Sequence, residues 1–95
     1  MTISSGFLES EGYVGIFHAV DAMSKATNVT ISGVVKLGGG LVAVSVTGDL
    51  ATVEEAIAVG EAALAAEGGA RYKSIIFANP CAPVAFLAEA PQQLV

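Results

Sequence analysis

The decisive stretch of this sequence is Lys36-Leu37-Gly38-Gly39-Gly40-Leu41-Val42, in which three consecutive glycines separate two runs that favour β-strands. Residues 29–37 are rich in β-branched side chains, and residues 41–46 read Leu-Val-Ala-Val-Ser-Val. Two such runs joined by glycines predict a β-hairpin. One glycine at positive φ usually suffices for a hairpin turn. The triplet is therefore either a permissive turn or a piece of backbone that must lie close to another group.

Before the hairpin, the chain favours one strand and one helix. Residues 6–9, with Ile3 ahead of them, have strand composition, and the polar run 9–12 is expected to end the strand. Apolar side chains then recur at helical spacing, which predicts a helix over residues 14–26 that closes at Asn28.

After the hairpin, a second helix is expected. Either Asp49 or Thr52 can cap its N-terminus, and Glu55 would complete a capping box with Thr52. The glycine-containing run 67–70 ends it. The predicted buried stripe of this helix consists of Val53, Ala56, Ile57, Gly60, Ala63 and Leu64.

The last part of the chain favours a strand followed by a short helix. Residues 71–78 have strand composition, and residues 83–90 are compatible with one or two helical turns that end at Pro91. Phe86 and Leu87 are the expected docking residues of that helix. The predicted order is βαββαβ with a short C-terminal helix, an α+β fold in which helices cover an antiparallel sheet in two layers, the ferredoxin-like order. We expect one domain over residues 1–95.

The composition indicates more apolar surface than a core of this size can bury. Of the 95 residues 54% are hydrophobic and 14% are charged, and the mean hydropathy is +0.70, whereas charged residues usually make up about 25% of a soluble chain. A spanning helix needs about 20 consecutive apolar residues, and charges interrupt every candidate run. The N-terminus also lacks the basic and apolar regions of a signal peptide. A cytoplasmic, self-associating protein with no membrane segment is therefore expected.

The charge argues against a nucleic-acid partner. The formal net charge is −5, and binding to phosphates requires a cationic footprint. The basic residues are Lys25, Lys36, Arg71 and Lys73.

The inventory of reactive side chains predicts neither an enzyme nor a cofactor or metal site. The chain has one histidine and one cysteine, and nothing that resembles a cluster of metal ligands. His18 is expected to be a partly buried structural histidine, and Cys81 a small packed thiol. The glycine triplet lacks the Lys-Ser/Thr ending of a phosphate-binding loop and leads into a strand.

Several ordered blocks together resemble the hexamer-forming shell proteins of bacterial microcompartments, the BMC-domain family. The blocks are Gly6-Phe7-Leu8-Glu9-Ser10-Glu11-Gly12, Asp21-Ala22-Met23-Ser24-Lys25-Ala26, Asn28-Val29, the glycine stretch of residues 36–42, and Gly48-Asp49-Leu50. The resemblance covers positions 6–78.

The resemblance implies specific roles for some residues. Gly38, Gly39 and Gly40 would line the central pore of a cyclic hexamer, with Gly39 at a position that is often serine in the family. Lys25 would lie at the edge of the hexamer, where neighbouring hexamers, the tiles of the shell, meet. The alternative is that Lys25 has no role in assembly and is a solvent-exposed helix lysine paired with Asp21.

Two positions depart from the family pattern. Asn79-Pro80 stands in an edge segment that is commonly Pro-Arg-Pro-His, so the usual edge arginine is missing, and Glu11 occupies a position that is often basic. The missing arginine implies either weaker tiling or mixed assembly with other shell proteins.

The resemblance implies a structural shell protein whose partners are copies of itself, other shell proteins and small polar metabolites that cross the pore. Its location would be the shell of a cytoplasmic microcompartment. The main rival is an ACT-like regulatory domain of the same topology, which binds a small molecule at a dimer interface.

Overall fold

A computed structural model of the chain describes residues 2–68 and 71–89. The elements are β1 (Ser4–Glu11), α1 (Tyr13–Ala26), β2 (Thr30–Gly38), β3 (Leu41–Gly48), α2 (Leu50–Glu67), β4 (Tyr72–Phe77) and α3 (Ala82–Glu89). The predicted βαββαβ order with a short C-terminal helix is therefore confirmed.

The four strands form one antiparallel sheet in the order β2-β3-β1-β4. The β2–β3 pair is the predicted hairpin, and β1 lies between β3 and β4. Each side of β1 is fixed by a continuous register, for example Phe7 opposite Ser45 on β3 and opposite Ile75 on β4.

Helices α1 and α2 cover one face of the sheet, as predicted. Alternate side chains of a strand point to opposite faces, and the even-numbered ones of β1 and β3 point to the helices. The buried core contains Leu8, Ile16, Ala19, Met23, Val42, Val44, Val46, Val53, Ala56, Ile57 and Leu64. The predicted stripe of α2 is confirmed, with Ala63 packed at its border.

Helix α3 packs against the opposite face of the sheet, which we call the open face. The Ser45 hydroxyl, on the odd-numbered side of β3, donates a hydrogen bond of 2.6 Å to the carbonyl oxygen of Ala88, and Ala88 is fully buried. The expectation for Phe86 is wrong, because its side chain is 56% exposed; Leu87 is half-buried. Pro91, the expected end of the helix, lies outside the described residues.

The structure also corrects two local expectations and decides a third, since Asp49 is one of the two predicted caps of α2. Strand β1 was expected to end in the polar run 9–12 but continues through Glu11. Strand β3 pairs with residues 9–11, and β4 pairs with residues 9 and 10. Asp49 caps α2 by accepting from the N–H of Thr52, so Thr52 is inside the helix and does not begin a capping box. Helix α1 ends at Ala26, as predicted, but its C-cap is Thr27 rather than Asn28.

Because all strand pairs are antiparallel, the loops lie at two opposite ends of the sheet. The glycine turn lies at the end where β1 finishes, β4 begins and α1 starts. The last turn of α1, the cap of α2 and the segment after β4 lie at the other end. A strand of eight residues separates the two ends by roughly 25 Å.

Candidate functional site

The glycine turn takes a conformation that other residues rarely adopt. The φ angles are +95° at Gly38, +60° at Gly39 and +82° at Gly40. An L-residue is strained at such angles, so the turn itself favours glycine at all three positions. Apart from the adjoining residues, no atom of the described chain lies within 4 Å of the place where a Cβ would be added at any of the three. The turn thus uses a positive φ at three positions where one usually suffices, and any function of the turn must be argued from its exposure and placement.

The turn is hydrogen-bonded to the junction between β1 and α1. The N–H of Gly12 donates to the carbonyl oxygen of Gly40 over 2.8 Å. Gly12 itself has φ +80°. This bond fixes one side of the turn against the start of α1.

An ion pair beside this junction joins β1 to the residue before β4. The guanidinium Nη2 of Arg71 donates to Glu11 Oε2 over 3.1 Å, and its backbone N–H donates to Glu11 Oε1 over 3.2 Å. The side-chain hydrogen bond from Arg71 holds the pKa of Glu11 below its usual range, and the same bond raises the pKa of Arg71. Both side chains are largely exposed, so the pair mainly orients the two strand ends.

The edge residues expected from the resemblance lie at the opposite end of the sheet from the glycine turn. Lys25 occupies the last turn of α1, where its Nζ lies 2.9 Å from Asp21 Oδ2. Asn79 is exposed and Pro80 half-buried just after β4. The structure therefore separates the predicted pore residues from the predicted edge residues by the length of the sheet.

The expectations for the two reactive side chains are wrong. His18 is exposed on α1, with Nε2 3.5 Å from Glu67 Oε2, because it lies on the side of the helix that faces away from the sheet. Cys81 is exposed as well. Within residues 2–68 and 71–89, no three His, Cys, Asp or Glu side chains are grouped as a metal site would require.

Sequence reasoning missed the ion pair beside the turn. Glu11 and Arg71 are 60 positions apart, and only the pairing of β1 with β4 brings them together. The opposite charges at the end of one strand and just before the other were the available clue.

Sequence reasoning also missed an apolar groove on the open face. The groove has a volume of about 340 Å³, and its side chains include Phe7, Leu37, Ala43 and Ile75. Within residues 2–68 and 71–89, helix α3 covers the neighbouring part of that face and does not extend over the groove.

The described helices include none that is both long and apolar enough to cross a membrane.

The comparisons of the sequence with known proteins agree with one another. Residues 4–80 match the sequence model of the BMC domain. The chain is 38% identical over 81 residues to the carboxysome shell protein CcmK2 of Synechocystis sp., a match that covers 84% of this chain and 79% of that protein. It is 43% identical over 58 residues to the bacterial microcompartment shell protein PduA of Citrobacter freundii, covering 61% of this chain and 62% of that protein.

A solved structure shares the fold. A microcompartment protein from Desulfitobacterium hafniense superposes with a TM-score of 0.78 at 22% identity. The match covers 90% of this chain and 48% of that chain, so the present chain spans about half of the longer protein.

Proposed function

This chain belongs to the BMC-domain family, and on that premise we propose that it is a structural shell protein of a bacterial microcompartment. The family match over residues 4–80 carries the proposal, because it includes both sequence segments to which the resemblance assigns a role. The relatives are named as shell proteins and not as enzymes, which confirms the prediction of a non-enzymatic role. They give no support to the ACT-like alternative. The shell of the microcompartment is accordingly its location.

The finer proposal is a cyclic hexamer with the glycine turns around a central pore. The turn is exposed at one end of the sheet, whereas Lys25, Asn79 and Pro80 lie at the other. A subunit that points its turn inward therefore presents the other three residues outward, where neighbouring tiles would meet.

The chemistry of such a pore would be that of the backbone. Because Gly38, Gly39 and Gly40 carry no side chains, the lining would consist of N–H and C=O groups, which suit small polar metabolites. Six copies would carry a charge of −5 × 6 = −30, which favours solubility of the free ring.

Partners at the edge would be further copies and other shell proteins. Asn79 cannot supply the cation that the family commonly places there, so tiling by this chain alone would be weaker than tiling with a shell protein that has the arginine.

Native mass spectrometry of the purified chain tests the ring. We expect a species of six copies in the absence of any added ligand. Monomers or dimers at micromolar concentration would contradict the hexamer.

A further inference from the structure

Helix α3 is held on the open face by few contacts. Of its described residues Ala88 alone is fully buried, and the largest side chain, Phe86, is 56% exposed. The hydrogen bond from the Ser45 hydroxyl to the carbonyl oxygen of Ala88 is the one that ties the described part of the helix to the sheet. Because buried apolar contacts supply most of the free energy that keeps an element in place, α3 is weakly attached.

The part of the sheet beneath α3 is lined with hydroxyl groups. Ser5 and Thr47 are partners across β1 and β3, and Ser45 lies two residues before Thr47 on the same side of the sheet. None of the three is more than 9% exposed, and α3 is the described helix that packs on this side of β1 and β3. Hydroxyls hold a helix less firmly than apolar side chains of similar size would.

The Ser5 hydroxyl opposes the docked position of the helix. The residue is 1% exposed, and its Oγ has no hydrogen-bond partner among the residues that the structure describes. A hydroxyl that is buried without a partner has lost its bonds to water, which destabilises the state that buries it. Lifting α3 exposes this hydroxyl to water and removes that loss.

The segment between β4 and α3 has the properties of a hinge. The Ser4 hydroxyl donates a hydrogen bond of 2.7 Å to the carbonyl oxygen of Ala78, which fixes the chain to the sheet up to that residue. The first turn of α3 closes on the carbonyl oxygen of Cys81. Between these two points Asn79 is exposed and Pro80 half-buried, and no hydrogen bond within the described chain ties either of them to the sheet.

We propose that α3 is a hinged flap that lifts from the open face while the rest of the subunit stays folded. Residues 79 and 80 are the hinge, and the hydrogen bond between Ser45 and Ala88 is the latch. The buried Ser5 hydroxyl favours the open position. This inference concerns a single copy of the chain and does not depend on the proposed hexamer.

Opening the flap enlarges the surface available on the open face. Phe7 lines the apolar groove and is the ladder partner of Ser45, which lies beneath α3. Its ring packs edge-to-face on that of Phe77, with the ring centroids 6.1 Å apart. The groove and the floor of α3 therefore meet at Phe7, so the flap controls access to one continuous surface that is apolar at one end and hydroxyl-lined at the other.

Thiol labelling at two matched serines tests the flap. Ser5→Cys and Ser10→Cys each replace a buried hydroxyl that has no described partner. Ser5 lies beneath α3, whereas Ser10 faces α1 on the other side of the sheet, with Oγ 3.6 Å from the place where a Cβ would be added at Gly15. Both variants carry Cys81→Ser, which removes the exposed natural thiol.

The measured quantity is the rate at which each buried thiol attacks an aromatic disulfide reagent, forming a mixed disulfide and releasing a coloured thiolate. Each rate is divided by that of the same variant unfolded in urea. We expect the Ser5→Cys variant to react at least about tenfold faster than the Ser10→Cys variant, because local opening costs less free energy than global unfolding. Equal normalised rates would overturn the flap. Circular dichroism checks that both variants are folded.

Urea below the unfolding transition separates the two kinds of opening. The rate of the Ser5→Cys variant should change little and that of the Ser10→Cys variant should rise steeply, because the urea dependence follows the surface exposed. The same steep dependence in both variants would assign both rates to global unfolding. Adding Ser45→Ala to the Ser5→Cys variant should raise its rate several-fold, and an unchanged rate would remove Ser45 from the latch.

Hydrogen exchange of the unsubstituted chain gives an independent measurement. A detached helix of eight residues is unstable in water, so the amides of α3 should lose protection whenever the flap lifts. We expect them to exchange faster than the amides in the middle of α2. Equal protection of the two helices would contradict the flap, whereas the number of copies in the wild-type assembly is a separate result that bears only on the hexamer.

Discussion

The N–H of Gly12 donates a hydrogen bond of 2.8 Å to the carbonyl oxygen of Gly40, although the two residues belong to different loops. Both have positive φ, +80° and +82°. The bond makes the start of α1 and the hairpin turn a single unit, so the position of the turn depends on the β1–α1 junction.

The first prediction concerns this junction. Gly12→Ala forces an L-residue to φ +80° and ψ +157°, a backbone region that is adopted almost only by glycine, where the loss is roughly 1–3 kcal/mol. Apart from the two adjoining residues, no atom lies within 4 Å of the place where a Cβ would be added at Gly12, so the loss comes from the backbone and not from a clash. Each kcal/mol shifts the Tm of a domain of this size by about 4–8 °C. Thermal unfolding at a fixed protein concentration measures the shift.

Gly33→Ala is the control for Gly12→Ala. Gly33 is also exposed with open space around it, but its φ is not positive. If both alanine variants have the same Tm, the positive φ of residue 12 does not strain an alanine, and the prediction is wrong.

Local patterns predicted most of the fold. The Leu41–Val46 run, the alanine-rich stripe of α2 and the glycine turn are decided by side chains close in sequence, so periodicity and turn chemistry suffice. The segments that resemble the family also predicted the candidate site, because each of them is short and contiguous in sequence.

The features that were missed depend on residues far apart. Ser45 and Ala88 are 43 positions apart, and their hydrogen bond joins the end of α3 to the sheet. The sequence of this eight-residue apolar helix has no clear periodicity that would reveal its buried side. The exposure of His18 depends on how α1 is rotated against the sheet. Such facts require the tertiary structure.

The second prediction concerns the cap of α2. The Thr52 hydroxyl, followed by the Thr52 N–H, lowers the pKa of Asp49 below its usual value. The ionised carboxylate therefore stabilises the fold at pH values above the pKa of the unfolded state, and this contribution disappears as the pH falls through the lower folded pKa. Asp49→Asn keeps an oxygen acceptor without the charge, so the variant should have a lower Tm at neutral pH.

The difference in Tm between wild type and Asp49→Asn should shrink below about pH 4, the ordinary range of an aspartate carboxyl. Thermal unfolding of both proteins at several pH values measures it. A difference that does not change with pH would mean that the charge of Asp49 has no part in stabilising α2.

The third prediction concerns the proposed tile edge. Lys25→Ala should leave six-copy rings intact, because the ion pair of Lys25 with Asp21 is exposed and contributes little to stability. Sheets or tubes of rings seen by negative-stain microscopy should become smaller or rarer. Asp21→Ala separates the two roles of Lys25, since it removes the ion pair and keeps the lysine. Equal loss of sheets in both variants would assign the effect to the ion pair.

The last prediction concerns Gly39 in the proposed pore. Its φ of +60° lies in the left-handed region that asparagine tolerates, whereas Gly38 and Gly40 are further from it. Gly39→Asn should therefore fold and assemble while adding six amide side chains to the turns around the axis. Passage of a small polar metabolite into reconstituted shells should slow, measured against shells of Gly33→Asn, in which the added amide lies on β2 outside the turn. Because assembly is expected to be equal in the two variants, an equal flux would exclude Gly39 from the path of the metabolite.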